Sequence, residues 1–294
     1  MNYFHRYTQR MEEEKIPGAF WLHWLYQTRF GSFILHAFFK RAWFSQLMGW
    51  WMNTRVSKKN IRPFAKKYNI DLSLFEKQPE DYRHFNDFFY RKLKPGLRPV
   101  CNDPRALVFP CDGRHLGFQT IADTQQFFIK GTAFNLFQLL QSEELAKKFH
   151  QGACVISRLA PVDCHRFHFP YDGIAQSTQC INGYLYSVHP LALQQNWKIL
   201  GENKRWLTLF QSISCGTIAL IEIGACCIGS VRETFRPNTL VKKGDEKGYF
   251  LFGGSTILTL FEPNCVQLAN DLLENTTRGF ELYAHMGDQM AQKV

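Results

Sequence analysis

An α+β fold, with an aromatic-rich helical N-terminal region packed on a β-rich core, is what three features of the sequence predict. Five of the seven tryptophans fall within residues 21–51. Beyond Pro99 the texture changes to short apolar runs separated by Gly, Pro, Asn and Asp, the pattern of a β-rich domain. One stretch interrupts those runs, residues 135–150, where Leu136, Leu139, Leu140 and Leu145 keep a helical rhythm. A chain of 294 residues suffices for one large domain or a main domain with an appendage. The division is expected near residue 80, with residues 1–80 helical and 81–294 forming the core.

Residues 1–15 are polar and include Glu12, Glu13 and Glu14, so they lack the basic end and apolar middle of a secretory signal. After them, Phe30, Phe33, Ile34 and Phe38, then Trp43, Leu47, Trp50 and Trp51, follow the spacing of amphipathic helices. The uncharged stretches here are too short to span a bilayer comfortably. Aromatic and basic residues together favour the lipid headgroup layer, so these helices either lie on a membrane surface or pack on the core as a subdomain. Residues 58–97 remain mostly helical, and the aromatics of residues 82–91 are expected in the core before Pro95-Gly96 ends the pattern. The strand-like runs are 107–110, 127–130, 153–159, 218–223, 226–231 and 249–260. No internal repeat or low-complexity segment is present.

Lys and Arg number 35 against 25 Asp and Glu, which favours an anionic partner: nucleic acid, acidic lipid or a phosphorylated small molecule. The nine cysteines are scattered without a Cys-x-x-Cys pair, against a disulfide framework or zinc ribbon and in keeping with a reducing, cytosolic setting.

Three segments carry candidate chemistry. In Phe252-Gly253-Gly254-Ser255-Thr256 a glycine precedes a serine, leaving the Gly254 carbonyl unshielded and open to attack by the Ser255 hydroxyl. The ordinary reading of such a turn is a hairpin. In Asp163-Cys164-His165-Arg166-Phe167-His168-Phe169-Pro170, His165 and His168 are each suited to act as a base near neutral pH. They fall on opposite faces of an extended segment unless a turn or bulge brings them together. Metal binding by these histidines with Cys164 or Asp163 matches no standard zinc spacing. Asp112, before Gly113, either opens a common Asp-Gly turn or orients a histidine.

Taken together, Cys111-Asp112-Gly113, the Cys164–Pro170 run and Phe252-Gly253-Gly254-Ser255-Thr256 occur in the order and with the flanks of the phosphatidylserine decarboxylase family, which this chain resembles. Phe85-Asn86-Asp87-Phe88-Phe89, Ile129-Lys130-Gly131, Glu202-Asn203-Lys204-Arg205, Gly224-Ala225 and Lys243-Gly244-Asp245-Glu246-Lys247-Gly248 extend the resemblance over residues 81–287. Two departures stand out: Gly-Gly-Ser-Thr where the bacterial pattern has Leu-Gly-Ser-Thr, and Cys164 where that pattern has tyrosine.

The resemblance implies a self-processing catalytic core. Asp112, His168 and Ser255 would form the triad that cuts the chain between Gly254 and Ser255 into residues 1–254 and 255–294, which remain together as a heterodimer. Residue 255 would become a covalent pyruvoyl group, the cofactor that forms a Schiff base with the substrate amine, with no pyridoxal phosphate and no metal. His165, alone or with His168, would return the proton after decarboxylation, and Arg166 would either contact the lipid phosphate or form a structural salt bridge. The implied reaction converts phosphatidylserine in an anionic membrane to phosphatidylethanolamine and CO2, at the cytoplasmic face of the cell membrane as a peripheral protein. A homodimer of the processed pair is also implied, and no nucleic-acid partner. The alternatives are a pyruvoyl enzyme for a soluble amino acid, an unprocessed membrane-binding relative without activity, and a metal hydrolase.

Overall fold

The computed structural model describes residues 2–14, 24, 28–34, 42–121, 135–188, 192–193, 198–225, 230–251 and 255–294. Before residue 100, strands β1 (Asn2–His5) and β2 (Arg10–Glu13) precede helices α1 (Arg29–Ile34), α2 (Ala42–Met52), α3 (Ile61–Lys67) and α4 (Phe85–Phe89). Then come β3 (Ala106–Val108), β4 (Gly113–Phe118), α5 (Leu136–Leu140), α6 (Glu143–Phe149) and β5 (Cys154–Leu159). Short strands β6 (Arg166–His168), β7 (Gly173–Ala175) and β8 (Gln179–Ile181) lead to α7 (Ile199–Glu202), β9 (Arg205–Ser212) and β10 (Thr217–Ile223). The chain ends with β11 (Val231–Glu233), β12 (Leu240–Val241), β13 (Glu246–Phe250), β14 (Ser255–Phe261), β15 (Val266–Leu268), α8 (Asn270–Thr277), β16 (Glu281–Ala284) and β17 (Gln289–Lys293).

The fold is α+β, as the texture of the sequence predicts. Its main sheet runs β12-β7-β9-β10-β14-β5-β4-β16-β1-β2, with β8 also on β9. All residues of β5, β10 and β14 are buried, so both faces of the sheet are covered there. The period-two rule sorts their side chains. Ala219, Ile221 and Ile223 meet Ile156, Leu258 and the leucines of α5 on one face, while Ile218 and Leu220 meet Val155, Phe261 and Leu272 on the other. Each such fully buried aliphatic side chain contributes about 1.5–3 kcal/mol of transfer free energy.

The first residues are not helical. β1 and β2 pair as a hairpin, and β1 adds parallel to β16. Long-range ion pairs hold this polar hairpin: Arg6 grips both oxygens of Asp271 at 2.6 and 2.7 Å, and Glu14 accepts from Arg158 at 2.9 and 3.1 Å. Residues 135–150 form two helices, because Gln141 takes a left-handed conformation (φ 52°) and Ser142 caps a fresh start. The aromatics of residues 82–89 form a core as expected, Phe64 meeting Phe85 edge-on at 5.3 Å. The run 249–260 divides between β13, in a three-stranded sheet with β11 and β6, and β14 in the main sheet. The strand-like runs at 127–130 and, before Ser230, at 226–229 lie outside the described residues.

Candidate active site

Strand register brings the separated segments to one end of the sheet. β14 opens at Ser255, paired with Leu159 at the end of β5, and one residue beyond the Arg114–Arg158 pair β4 begins at Gly113. Asp112 and Ser255 therefore flank the same strand end, with β5 between them and backbones about 10 Å apart at two strand spacings. Gly113 is required there, because a Cβ would meet the Arg158 carbonyl oxygen at 2.6 Å. The chain leaving β5 carries His165 and then β6, whose His168 amide donates to the Pro110 carbonyl at 2.8 Å beside Asp112.

Ser255 is fully buried, and its hydroxyl has no hydrogen-bond partner among the described residues. Leaving such a group unsatisfied costs about 1–3 kcal/mol. Gly253 and Gly254, the rest of the expected cleavage turn, lie outside the described residues.

The two histidines differ in setting. His165 is buried, its ring 3.8 Å from that of Phe89 and its Nδ1 donating to the Asp163 carbonyl at 3.0 Å. His168 is half-buried, and its Nδ1 donates to the Pro110 carbonyl at 3.2 Å, which leaves the lone pair of the neutral ring on Nε2. Burial pulls the His168 pKa below the usual value, partly opposed by the Pro110 carbonyl and the charges of Glu246 and Asp112, so the ring is neutral and basic near pH 7.

Asp112, expected to orient a histidine, instead has its carboxylate held by Arg98: Nε lies 2.9 and 3.0 Å from the two oxygens and Nη2 2.8 Å from one. The Met286 amide adds a bond at 2.9 Å. Arg166 is likewise engaged, pairing with Glu246 at 2.6 Å, donating to the Tyr90 carbonyl at 2.9 Å and lying over the Tyr249 ring. Cys164 donates its thiol to the Arg91 carbonyl at 3.2 Å, and burial raises its pKa, keeping it protonated.

A cavity of about 220 Å³ unites Asp112, Cys164, Arg166 and His168, with Arg98, Glu246, Lys92 and Lys94 also on its wall. Neither Ser255 nor His165 is among the residues that line it. Of this polar wall the sequence singles out Asp112, Cys164, Arg166 and His168, and misses Arg98, Glu246, Lys92 and Lys94 as site residues. Among the described residues no three His, Cys, Asp or Glu side chains are grouped to hold a metal. Asp163 is already committed to Arg114 at 2.6 Å and to the Ala160 amide at 2.7 Å.

Side chains of this chemistry, gathered at one end of a buried sheet, belong to an enzyme. Known proteins give its kind. The family described as phosphatidylserine decarboxylase matches residues 85–292. Proteins named phosphatidylserine decarboxylase proenzyme are similar over the whole chain. That of Fusobacterium nucleatum is 42% identical over 293 residues, covering 100% of this chain and 98% of the relative. The corresponding values are 41%, 100% and 97% for Chlamydia trachomatis serovar L2, and 38%, 100% and 99% for Clostridium botulinum strain 657. The chain belongs to the phosphatidylserine decarboxylase family, and it is a decarboxylase.

Proposed function

We propose that this chain is a proenzyme that cuts itself before Ser255, converts that residue to a pyruvoyl group, and then decarboxylates phosphatidylserine to phosphatidylethanolamine. The observation that carries the reading is the Ser255 hydroxyl, buried without a hydrogen-bond partner among the described residues, at the first position of a central strand. A hydroxyl left unsatisfied in a packed interior loses stability for no packing gain, which is understandable where the group is a reactant.

In this reading Nε2 of His168 takes the Ser255 proton, and the oxygen attacks the Gly254 carbonyl. The peptide bond breaks as the amide nitrogen of residue 255 takes up a proton, leaving an ester. Loss of the α-proton of residue 255 then expels the Gly254 carboxylate and leaves a dehydroalanine, which water hydrolyses with release of ammonia. Asp112, a fixed negative charge in the same cavity as His168, stabilises the imidazolium formed in the first step. A site for the product group fits the structure, since position 255 is enclosed by the sheet and its side chain has no polar partner among the described residues. Once formed, the pyruvoyl group supplies a carbonyl that takes the substrate amine and draws off the electrons released with CO2. His165, buried against Phe89, returns a proton to the α-carbon; Lys92 and Lys94 on the cavity wall attract the anionic head group. Arg166, tied to Glu246, shapes the wall unless that pair opens to a phosphate.

The intact masses of the purified protein test this directly. Chains 1–254 and 255–294 are expected, the small one beginning with a pyruvoyl group. A single full-length mass at every stage of maturation rules the reading out, and a small chain with an unmodified serine refutes the cofactor.

Membrane-surface binding at the cytoplasmic face is part of the same proposal. It is supported by the outward display of Trp43, Leu47, Trp50 and Trp51 on α2, 46–65% exposed, with Phe30 and Phe33 on α1 both at 65%. The net charge of +10 favours an anionic surface. Among the described residues no helix is long and apolar enough to cross a membrane. Burying a large apolar side chain is worth about 1.5–3 kcal/mol, so the double variant Trp50→Glu/Trp51→Glu is expected to weaken binding to phosphatidylserine vesicles about a hundredfold or more. Unchanged cosedimentation counts against a docking role for this face.

A further inference from the structure

We propose that Arg98 is a positioning residue for self-processing, its guanidinium fixing the Asp112 carboxylate at the strand end where Ser255 reacts. The inference rests on the proposed self-cleavage and deepens it.

The geometry is that of a fork. Nε of Arg98 meets both Asp112 oxygens and Nη2 meets one, at 2.8–3.0 Å, while Nη1 is anchored on the Leu97 carbonyl at 3.0 Å. A planar guanidinium imposes direction as well as charge, which an ammonium does not. The carboxylate's remaining bond, from the Met286 amide, pins Oδ1 to the segment after β16. Side-chain exposures of 15% for Arg98 and 6% for Asp112 keep water from substituting freely. A turn aims the arginine: Gly96 has a φ of +84°, a left-handed conformation natural to glycine, and the Lys94 amide is tied to the Leu74 carbonyl at 2.9 Å.

The arrangement matters because His168 is oriented by Pro110 and not by Asp112. The work left to Asp112 is electrostatic, opposing the positive charge His168 acquires when it takes the serine proton. A charge acts so only if it is held in place, which takes hydrogen bonds to its oxygens. Arg98 supplies the counter-charge and the orientation. Its inward N–H groups are consumed by this task, which separates it from Lys92 and Lys94 on the same cavity wall.

The test is the rate at which the 255–294 chain appears in freshly synthesised protein without lipid, so that substrate binding plays no part. Arg98→Met is expected to slow cleavage about a hundredfold, within the range of general acid–base effects, and Arg98→Lys about tenfold. Millimolar guanidinium is expected to restore part of the rate to Arg98→Met and to leave Arg98→Lys unmoved, a response that a purely structural role does not give. Where Arg98→Met does not fold, the Arg98→Lys rate decides by the same comparison. Cleavage of the variants at the wild-type rate overturns the inference; a raised KM for phosphatidylserine in the processed variant would then make Arg98 a substrate cation. A wild-type chain that stays whole overturns the processing reading itself, and this inference with it.

Discussion

Ser255→Ala is expected to yield one uncut chain of full length with no detectable decarboxylation. The substitution removes an atom that holds no described residue in place. The hydroxyl makes no hydrogen bond with the described residues, and alanine keeps the Cβ that packs against the sheet. Deleting an unsatisfied buried hydroxyl is neutral or stabilising, so loss of processing cannot be ascribed to loss of fold. Intact mass spectrometry reads the cut, and release of labelled CO2 from carboxyl-labelled phosphatidylserine vesicles reads the activity. Appearance of the 255–294 chain from the alanine variant, or turnover at the wild-type rate, defeats the assignment of Ser255.

Arg158→Ala is expected to lower the stability of the uncut precursor by about 3–5 kcal/mol, the cost of leaving buried charge uncompensated. Arg158 bridges two carboxylates, Glu281 at 2.6 and 2.8 Å and Glu14 at 2.9 and 3.1 Å, with only 6% of its own side chain exposed. Burial works against its charge, but Glu281 and Glu14 outweigh that and hold its pKa above the usual value. Arg114, paired with Asp163 at 2.6 Å and 3.4 Å from Glu14, is the other cation of the cluster. Removing Arg158 takes away the guanidinium that Glu14 and Glu281 share and leaves Arg114 facing Glu14 and Asp163. Urea denaturation in a Ser255→Ala background, which keeps the chain whole, measures the change as a shift in midpoint. A midpoint within error of the parent shows that the cluster is solvated in solution and carries no such load.

The central strands were legible because two-sided burial writes continuous apolar runs, as in residues 153–159 and 218–223. Residues 249–260 read as two apolar runs either side of a glycine turn, the ordinary mark of a hairpin, yet the runs serve two different sheets. The N-terminal hairpin was not legible. Its residues are polar, and their partners Asp271, Arg158 and Glu281 lie far away in the chain, so no local period records them. Asp112, His168 and Ser255 stood out through their motifs. Arg98 did not, since its pairing with Asp112 spans 14 residues across a turn whose Pro95-Gly96 reads only as a helix stop. His165 and His168 kept the opposite settings that extended spacing predicts, one buried and one on the cavity wall.

The place of β14 and β16 in the strand order has a consequence for how such a protein is made. Both follow Ser255, yet β14 lies between β10 and β5, and β16 between β4 and β1. A cut before Ser255 would leave two interleaved pieces, each completing the other's sheet through hydrogen bonds on both sides. Separating them would mean unravelling the centre of the molecule, and rejoining them would be a second-order encounter between fragments whose shared sheet is incomplete. The uncut chain is then the only form with a unimolecular route to this topology. The mature protein would persist by the height of its unfolding barrier, as a structure assembled once and not readily assembled again.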